Sequence, residues 1–173
     1  TRQAKLDLTP ILQASGVTSD KPLHCMQNND PFDNGPLNQL LVERCADMVK
    51  FKTGGRLNLA IRNTDRSVGA KLSGLIARTH GNQGMATEPI EVQFTGTAGQ
   101  SFGVWNAGGL HLSLQGDAND YVGKGMTGGQ LAVYPPKGCS FAKDNATIVG
   151  NTCLYGATGG RLYAAGRAGE RFA

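Results

Sequence analysis

The sequence predicts an all-β fold, a parallel β-helix or solenoid, preceded by an N-terminal arm and one α-helix. Two observations carry that expectation. The first is a glycine pair followed by a short alternating run containing leucine, which recurs as Gly54-Gly55-Arg56-Leu57-Asn58-Leu59, Gly108-Gly109-Leu110-His111-Leu112-Ser113, Gly128-Gly129-Gln130-Leu131-Ala132-Val133 and Gly159-Gly160-Arg161-Leu162-Tyr163-Ala164. The second is where glycine falls: 19 of the 25 glycines lie from Gly81 onward, set between very short apolar segments. Stacked strand-and-turn units leave such self-similarity because every unit needs the same tight corner. Glycine accepts the positive φ of such a corner freely. The glycines expected to form corners are Gly108, Gly109, Gly123, Gly125, Gly128, Gly129, Gly159 and Gly160.

Taken in order, the first 35 residues read as loop, with a short turn at Leu6 to Leu12. The cluster Asn28-Asn29-Asp30-Pro31 with Asp33-Asn34-Gly35-Pro36 is turn chemistry, so this segment resembles a linker or docking arm. A helix follows, in which Leu37, Leu40, Leu41, Cys45 and Met48 share one face, Pro36 suits the first turn and Gly54-Gly55 ends the run. From Arg56 the period becomes two. Leu57, Leu59 and Ile61 alternate with Arg56, Asn58 and Arg62, and Ile90, Val92 and Phe94 alternate with Glu91 and Gln93. The expected division is therefore residues 1–53, arm and helix, and residues 54–173, the β-helix. Inward Leu, Val, Ile and Ala should stack in ladders, with Trp105 and Tyr121 filling wider places.

At 173 residues and 39% apolar, the chain has material for one sizeable core. The four cysteines, Cys25, Cys45, Cys139 and Cys153, lack zinc or redox spacing and suggest reduced thiols in a cytoplasmic protein. No apolar run is long enough to span a bilayer, which argues against a membrane partner. Thr1 at one end and a run from Gly166 to Ala173 that stops in mid-repeat suggest an excised piece, truncated at its C-terminal end. The net charge of +4 is uneven: Lys50, Lys52, Arg56, Arg62, Arg66, Lys71 and Arg78 face a single acid, Asp65. Without interleaved aromatics this reads as a solvated strand face rather than a nucleic-acid site.

Several motifs carry chemistry elsewhere. Gly123-Lys124-Gly125-Met126-Thr127-Gly128 matches the dinucleotide pattern GxGxxG, whose glycines let amides approach a pyrophosphate at a helix N-terminus. Here a short strand ending in Pro135-Pro136 follows, so a glycine corner is expected instead. Gly99-Gln100-Ser101-Phe102-Gly103 matches GxSxG, but again no helix follows, and Ser101 is expected to be a buried hydroxyl bonded to backbone. His24, His80 and His111 share no ligand spacing. Asp117, Asn119 and Asp120 fit Asx turns better than a calcium loop. No catalytic, cofactor-binding or metal-binding residue is expected.

The block Gly116-Asp117-Ala118-Asn119-Asp120-Tyr121-Val122-Gly123-Lys124-Gly125-Met126-Thr127-Gly128-Gly129 closely resembles the glycine-repeat (GXGXG) C-terminal domain of the glutamate synthase large subunit. Asn63-Thr64-Asp65-Arg66-Ser67-Val68-Gly69, Gly99-Gln100-Ser101-Phe102-Gly103 and Gly150-Asn151-Thr152-Cys153-Leu154-Tyr155-Gly156-Ala157-Thr158-Gly159-Gly160 add to the resemblance, which spans about residues 54 to 173. It implies a right-handed β-helix that serves as a non-catalytic scaffold. The implied parent makes glutamate from glutamine and 2-oxoglutarate. In that family a glutaminase domain releases ammonia, a tunnel carries it, and a synthase domain with FMN and an iron–sulfur cluster uses it, sometimes with a small electron-supplying subunit. The alternatives are a nucleotide- or anion-binding module around Lys124 or the basic stretch, and the related glycine-repeat subunit of formylmethanofuran dehydrogenase.

Overall fold

A computed structural model describes residues 3–13, 16, 20, 22–28, 35–81, 84–85, 87–140 and 145–173. The chain divides into two compact units, Thr1–Phe32 and Asp33–Ala173. In the first, a 3-10 turn at Gln3–Lys5 precedes α1 (Thr9–Leu12). The Asp7 carboxylate accepts the Thr9 amide at 2.9 Å, and hydrogen bonding from the Thr9 side chain first, then from its amide, holds its pKa below the usual value. Leu6, Leu8, Ile11, Leu12, Leu23 and Met26 are exposed. Of the expected turn cluster, residues 29–34 lie outside the described residues.

The second unit runs α2 (Pro36–Phe51), β1 (Gly55–Ile61), α3 (Ala70–His80), β2 (Ile90–Ala98), β3 (Leu110–Ala118), β4 (Thr127–Tyr134), β5 (Thr147–Val149), β6 (Gly159–Ala164) and β7 (Arg167–Ala168). The strands form one seven-stranded sheet of order β1-β2-β3-β4-β6, with β5 beside β3 and β7 beside β5. Every pairing is parallel. The expectation of an all-β solenoid is thereby overturned: the chain is α/β, a parallel sheet accompanied by helices.

The element that changes the class is α3, in the stretch expected to be a basic strand face. Leu72 and Ile76 are fully buried at helical spacing and Ser73 lies beside them. Burying each large apolar side chain stabilises by about 1.5–3 kcal/mol. Gly74 inside the helix costs about 0.5–1 kcal/mol relative to alanine, so burial wins over propensity. Arg78 and His80 occupy the last turn, where positive charge suits the helix dipole. α3 is the crossover that parallel pairing of β1 with β2 requires.

Helix α2 ends at Phe51 through Lys52, which takes a left-handed conformation and donates its amide to Met48 and Val49. Leu37, Leu41, Cys45 and Val49 bury one face, with Leu40 and Met48 partly covered. Asn38, 4% exposed, joins the helices: its Nδ2 donates to the Arg66 carbonyl and its Oδ1 accepts the Gly69 amide, both at 3.1 Å. His80 Nε2 lies 2.6 Å from the Val49 carbonyl at the other end of the pair.

Alternation along the strands, repeated in register, builds the core. One inward row is Leu57, Val92, Leu112, Leu131 and Leu162, and the next is Leu59, Phe94, Leu114, Val133 and Ala164. Residues 99–109 and 119–126, between β2, β3 and β4, are too short for a helical crossover and form turns instead.

Candidate functional site

The turns bond to one another as the strands do. Ser67, Ser101, Tyr121 and Thr152 hold φ of 52°, 65°, 64° and 56°. Each donates its amide at 2.9 Å, to Gln100, Asp120, Asn151 and Glu170 respectively. Two residues on, the amides of Gly103, Gly123 and Leu154 donate to Val68, Phe102 and Val122. These left-handed serine, tyrosine, threonine and leucine residues carry no glycine in the sequence and escape a reading that looks for glycine alone.

The expected corner glycines lie at these turns and at the strand entries. Gly109, Gly123, Gly125, Gly129 and Gly160 have φ of 83°, 68°, 61°, 71° and 100°. Gly108, Gly128 and Gly159 are not in the positive-φ region, and at Gly128 and Gly159 close approach explains glycine instead. A Cβ on Gly128 would lie 2.8 Å from the backbone of Gly108, and one on Gly159 would lie 2.6 Å from the Thr127 carbonyl. Asn106, fully buried, closes this region by donating Nδ2 to the Leu110 and Gly128 carbonyls at 2.8 and 3.0 Å.

Phosphate binding by Gly123–Gly128 needs free amides, and the backbone has already engaged them. Gly123 donates to Phe102, Lys124 to Tyr121, Gly125 to Tyr155, Met126 to Gly123, and both Thr127 and Gly128 to Asn106. Ser101 is half-buried in a left-handed turn and no helix follows it, so the elbow of a hydrolase nucleophile does not form. Asp117 accepts the Thr97 hydroxyl at 2.7 Å, Asp120 accepts the Asn151 amide at 2.7 Å, and Asn119 bonds Asn63. His24 is exposed in the first unit, and His111 is half-buried on β3. Among the described residues no three His, Cys, Asp or Glu side chains come together as a metal site, and no helix is long and apolar enough to cross a membrane.

The basic stretch is spread over α2, β1, the turn after it and α3, and is not a strand face. Arg56 pairs with Glu91 at 2.5 Å, Lys71 donates to Gln39 at 3.2 Å, and Lys50 stands over the Phe51 ring. Arg56, Glu91, His111, Gln130 and Arg161 form a register-matched outward row across β1, β2, β3, β4 and β6. Part of that row, with Asn58, Gln93 and Ser113, lines an open cleft of about 400 Å³.

Cys25 is exposed, while Cys45 and Cys153 are buried. Burial pushes the Cys45 thiol from 9.0 to about 11 and also raises Cys153. The folded value of Cys45 lies above the unfolded one, so its contribution to stability is complete below about pH 9 and is lost as pH rises through 11. Alkaline denaturation curves of the parent and of Cys45→Ala should therefore converge between pH 9 and 11. Curves that stay parallel would refute the assignment.

The GXGXG motif family model matches residues 38–173. The chain is 43% identical over 94% of its length to a ferredoxin-dependent glutamate synthase of Pyropia yezoensis, covering 11% of that protein. It is 49% identical over 84% of its length to ferredoxin-dependent glutamate synthase 2 of Synechocystis sp., covering 10%. It is 40% identical over 97% of its length to the NADH glutamate synthase of Schizosaccharomyces pombe, covering 8%. The chain thus spans about a tenth of the length of the curated relatives it matches. With turns and strands aligned as above over the matched residues, the chain belongs to the GXGXG motif family, as a domain shared with these glutamate synthases.

Proposed function

We propose that this chain is a non-catalytic scaffold domain of a cytoplasmic glutamate synthase, packed between the glutaminase domain and the FMN synthase domain of the same polypeptide. The parent enzyme makes L-glutamate from glutamine and 2-oxoglutarate. The observation that carries the reading is the similarity to glutamate synthases over nearly the whole chain. The chemistry of the turns supports it, because the amides that a phosphate would need already donate to backbone carbonyls. FMN and the iron–sulfur cluster belong to other parts of the parent in this reading. Cluster ligation requires thiolates, whereas Cys45 and Cys153 are buried with their thiols pushed up. A continuous core through β1, β2, β3, β4 and β6 suits a rigid spacer.

The test is deletion of these residues from the intact synthase, with ammonia release and glutamate formation measured together. The expected result is loss of stability, or glutaminase turnover that no longer matches glutamate formation. Full, coupled activity after deletion would sink the scaffold role.

A further inference from the structure

The turns present an aromatic surface. Trp105 and Tyr155 are 61% and 62% exposed, although the sequence suggests Trp105 as a core filler. The Trp105 amide donates to the Lys124 carbonyl and the Gly125 amide to the Tyr155 carbonyl, both at 2.8 Å, so these residues sit on successive turns. The indole lies against Gly125, where a Cβ would be 2.7 Å from its Cδ1. The Lys124 ammonium stands 5.2 Å from the Tyr121 ring centroid and 5.9 Å from that of Tyr155.

Trp105 holds this place at φ 54°, a conformation that L side chains rarely adopt and that glycine would take without strain. So exposed an indole recovers little burial within the described unit in return. Strained backbone under exposed, preorganised aromatics is characteristic of contact surfaces, where tryptophan and tyrosine concentrate binding energy.

We infer that Trp105, Tyr121, Lys124 and Tyr155 form the docking surface for another domain of the same synthase polypeptide. The inference rests on the scaffold reading and gives it a location. The occupant follows from length: about nine-tenths of each relative lies outside the region matched here, so the nearest partner at high effective concentration is the remainder of one chain. The complementary face is apolar, with a carboxylate opposite Lys124, because an ammonium that stands between rings with no ion pair among the described residues has to be paired when water leaves.

Hydroxyl-radical footprinting of the full-length synthase tests this, with modification of Trp105 and Tyr155 compared against the same polypeptide unfolded in urea. Strong protection of both, independent of protein concentration, is expected. Truncating a central aromatic anchor, Trp105→Ala, should weaken docking by about 30-fold, read as faster modification of Tyr155. Modification at nearly the unfolded rate would overturn the inference. Protection that fades on dilution would also overturn it, in favour of a second copy of the chain. A Trp105→Ala, Tyr155→Ala variant that stays coupled, while the deletion uncouples, would remove this surface and leave the scaffold standing. If the deletion were harmless while Trp105 stayed protected, the scaffold role would fall and the contact would stand.

Discussion

Gly129→Ala is expected to destabilise the chain by about 2–5 kcal/mol, the sum of about 1–2 for a left-handed side chain and about 1–3 for overpacking. At φ 71° an added Cβ would fall on the Leu110 carbonyl oxygen, 2.5 Å from Asn106 Nδ2 and 2.6 Å from the Ala107 carbonyl. Two of those neighbours are backbone and the third is the buried amide that ties β3 to β4, so none can move aside cheaply. Comparison with two other glycines isolates the cause. Gly138 has φ 81° and open space around its Cβ position, so Gly138→Ala should cost only about 1–2 kcal/mol. Gly74, inside α3 and also unobstructed, should gain about 0.5–1 kcal/mol as alanine. Urea denaturation midpoints rank the three variants, and a Gly129→Ala midpoint equal to the parent's would refute the close-approach account.

Phe94→Ala is expected to cost about 3–5 kcal/mol, the usual loss for a fully buried phenylalanine with its cavity. Phe94 points inward from β2 and meets Phe102, on the following turn, edge to face with ring centroids 5.7 Å apart and planes at 84°. The pair therefore bridges the sheet and the turn that returns to it. A double-mutant cycle with Phe102→Ala should show a coupling of about 0.5–1.5 kcal/mol beyond the separate losses. Strictly additive losses would mean that the two rings pack independently.

The parts of this fold legible in the sequence are those where side-chain period and burial agree. Leu57 and Leu59, then Val92 and Phe94, alternate in the sequence and alternate in the sheet, so strands β1 and β2 follow from period two. Helix α2 was equally plain, with Pro36 in its first turn and Leu37, Leu41 and Cys45 on one face. Leu72, Leu75 and Ile76 in α3 do carry helical spacing, but Lys71, Gly74 and Arg78 among them read as a continuation of the basic strand face, which hides the helix. The turns were half legible. Gly123 and Gly125 announce their backbone, whereas Ser67, Ser101, Trp105 and Tyr121 adopt the same hand through hydrogen bonds from the adjacent turn. For that reason the surface around Trp105 could not be found from residue type. An exposed indole and a buried one are the same letter.

Helix α3 also has a polymer-entropy consequence. Arg56 and Glu91, partners across β1 and β2, are 35 residues apart, whereas Thr97 and Asp117, partners across β2 and β3, are 20 apart. Closure entropy grows only as the logarithm of loop length, so the longer excursion costs about 0.5 kcal/mol more. Burying Leu72 alone returns several times that amount, about 1.5–3 kcal/mol. A parallel sheet with short turns between β2 and β3 and between β3 and β4 can therefore admit a whole helix between β1 and β2 at little loop-closure cost, while the apolar face of the helix helps offset the separate entropy of ordering its residues.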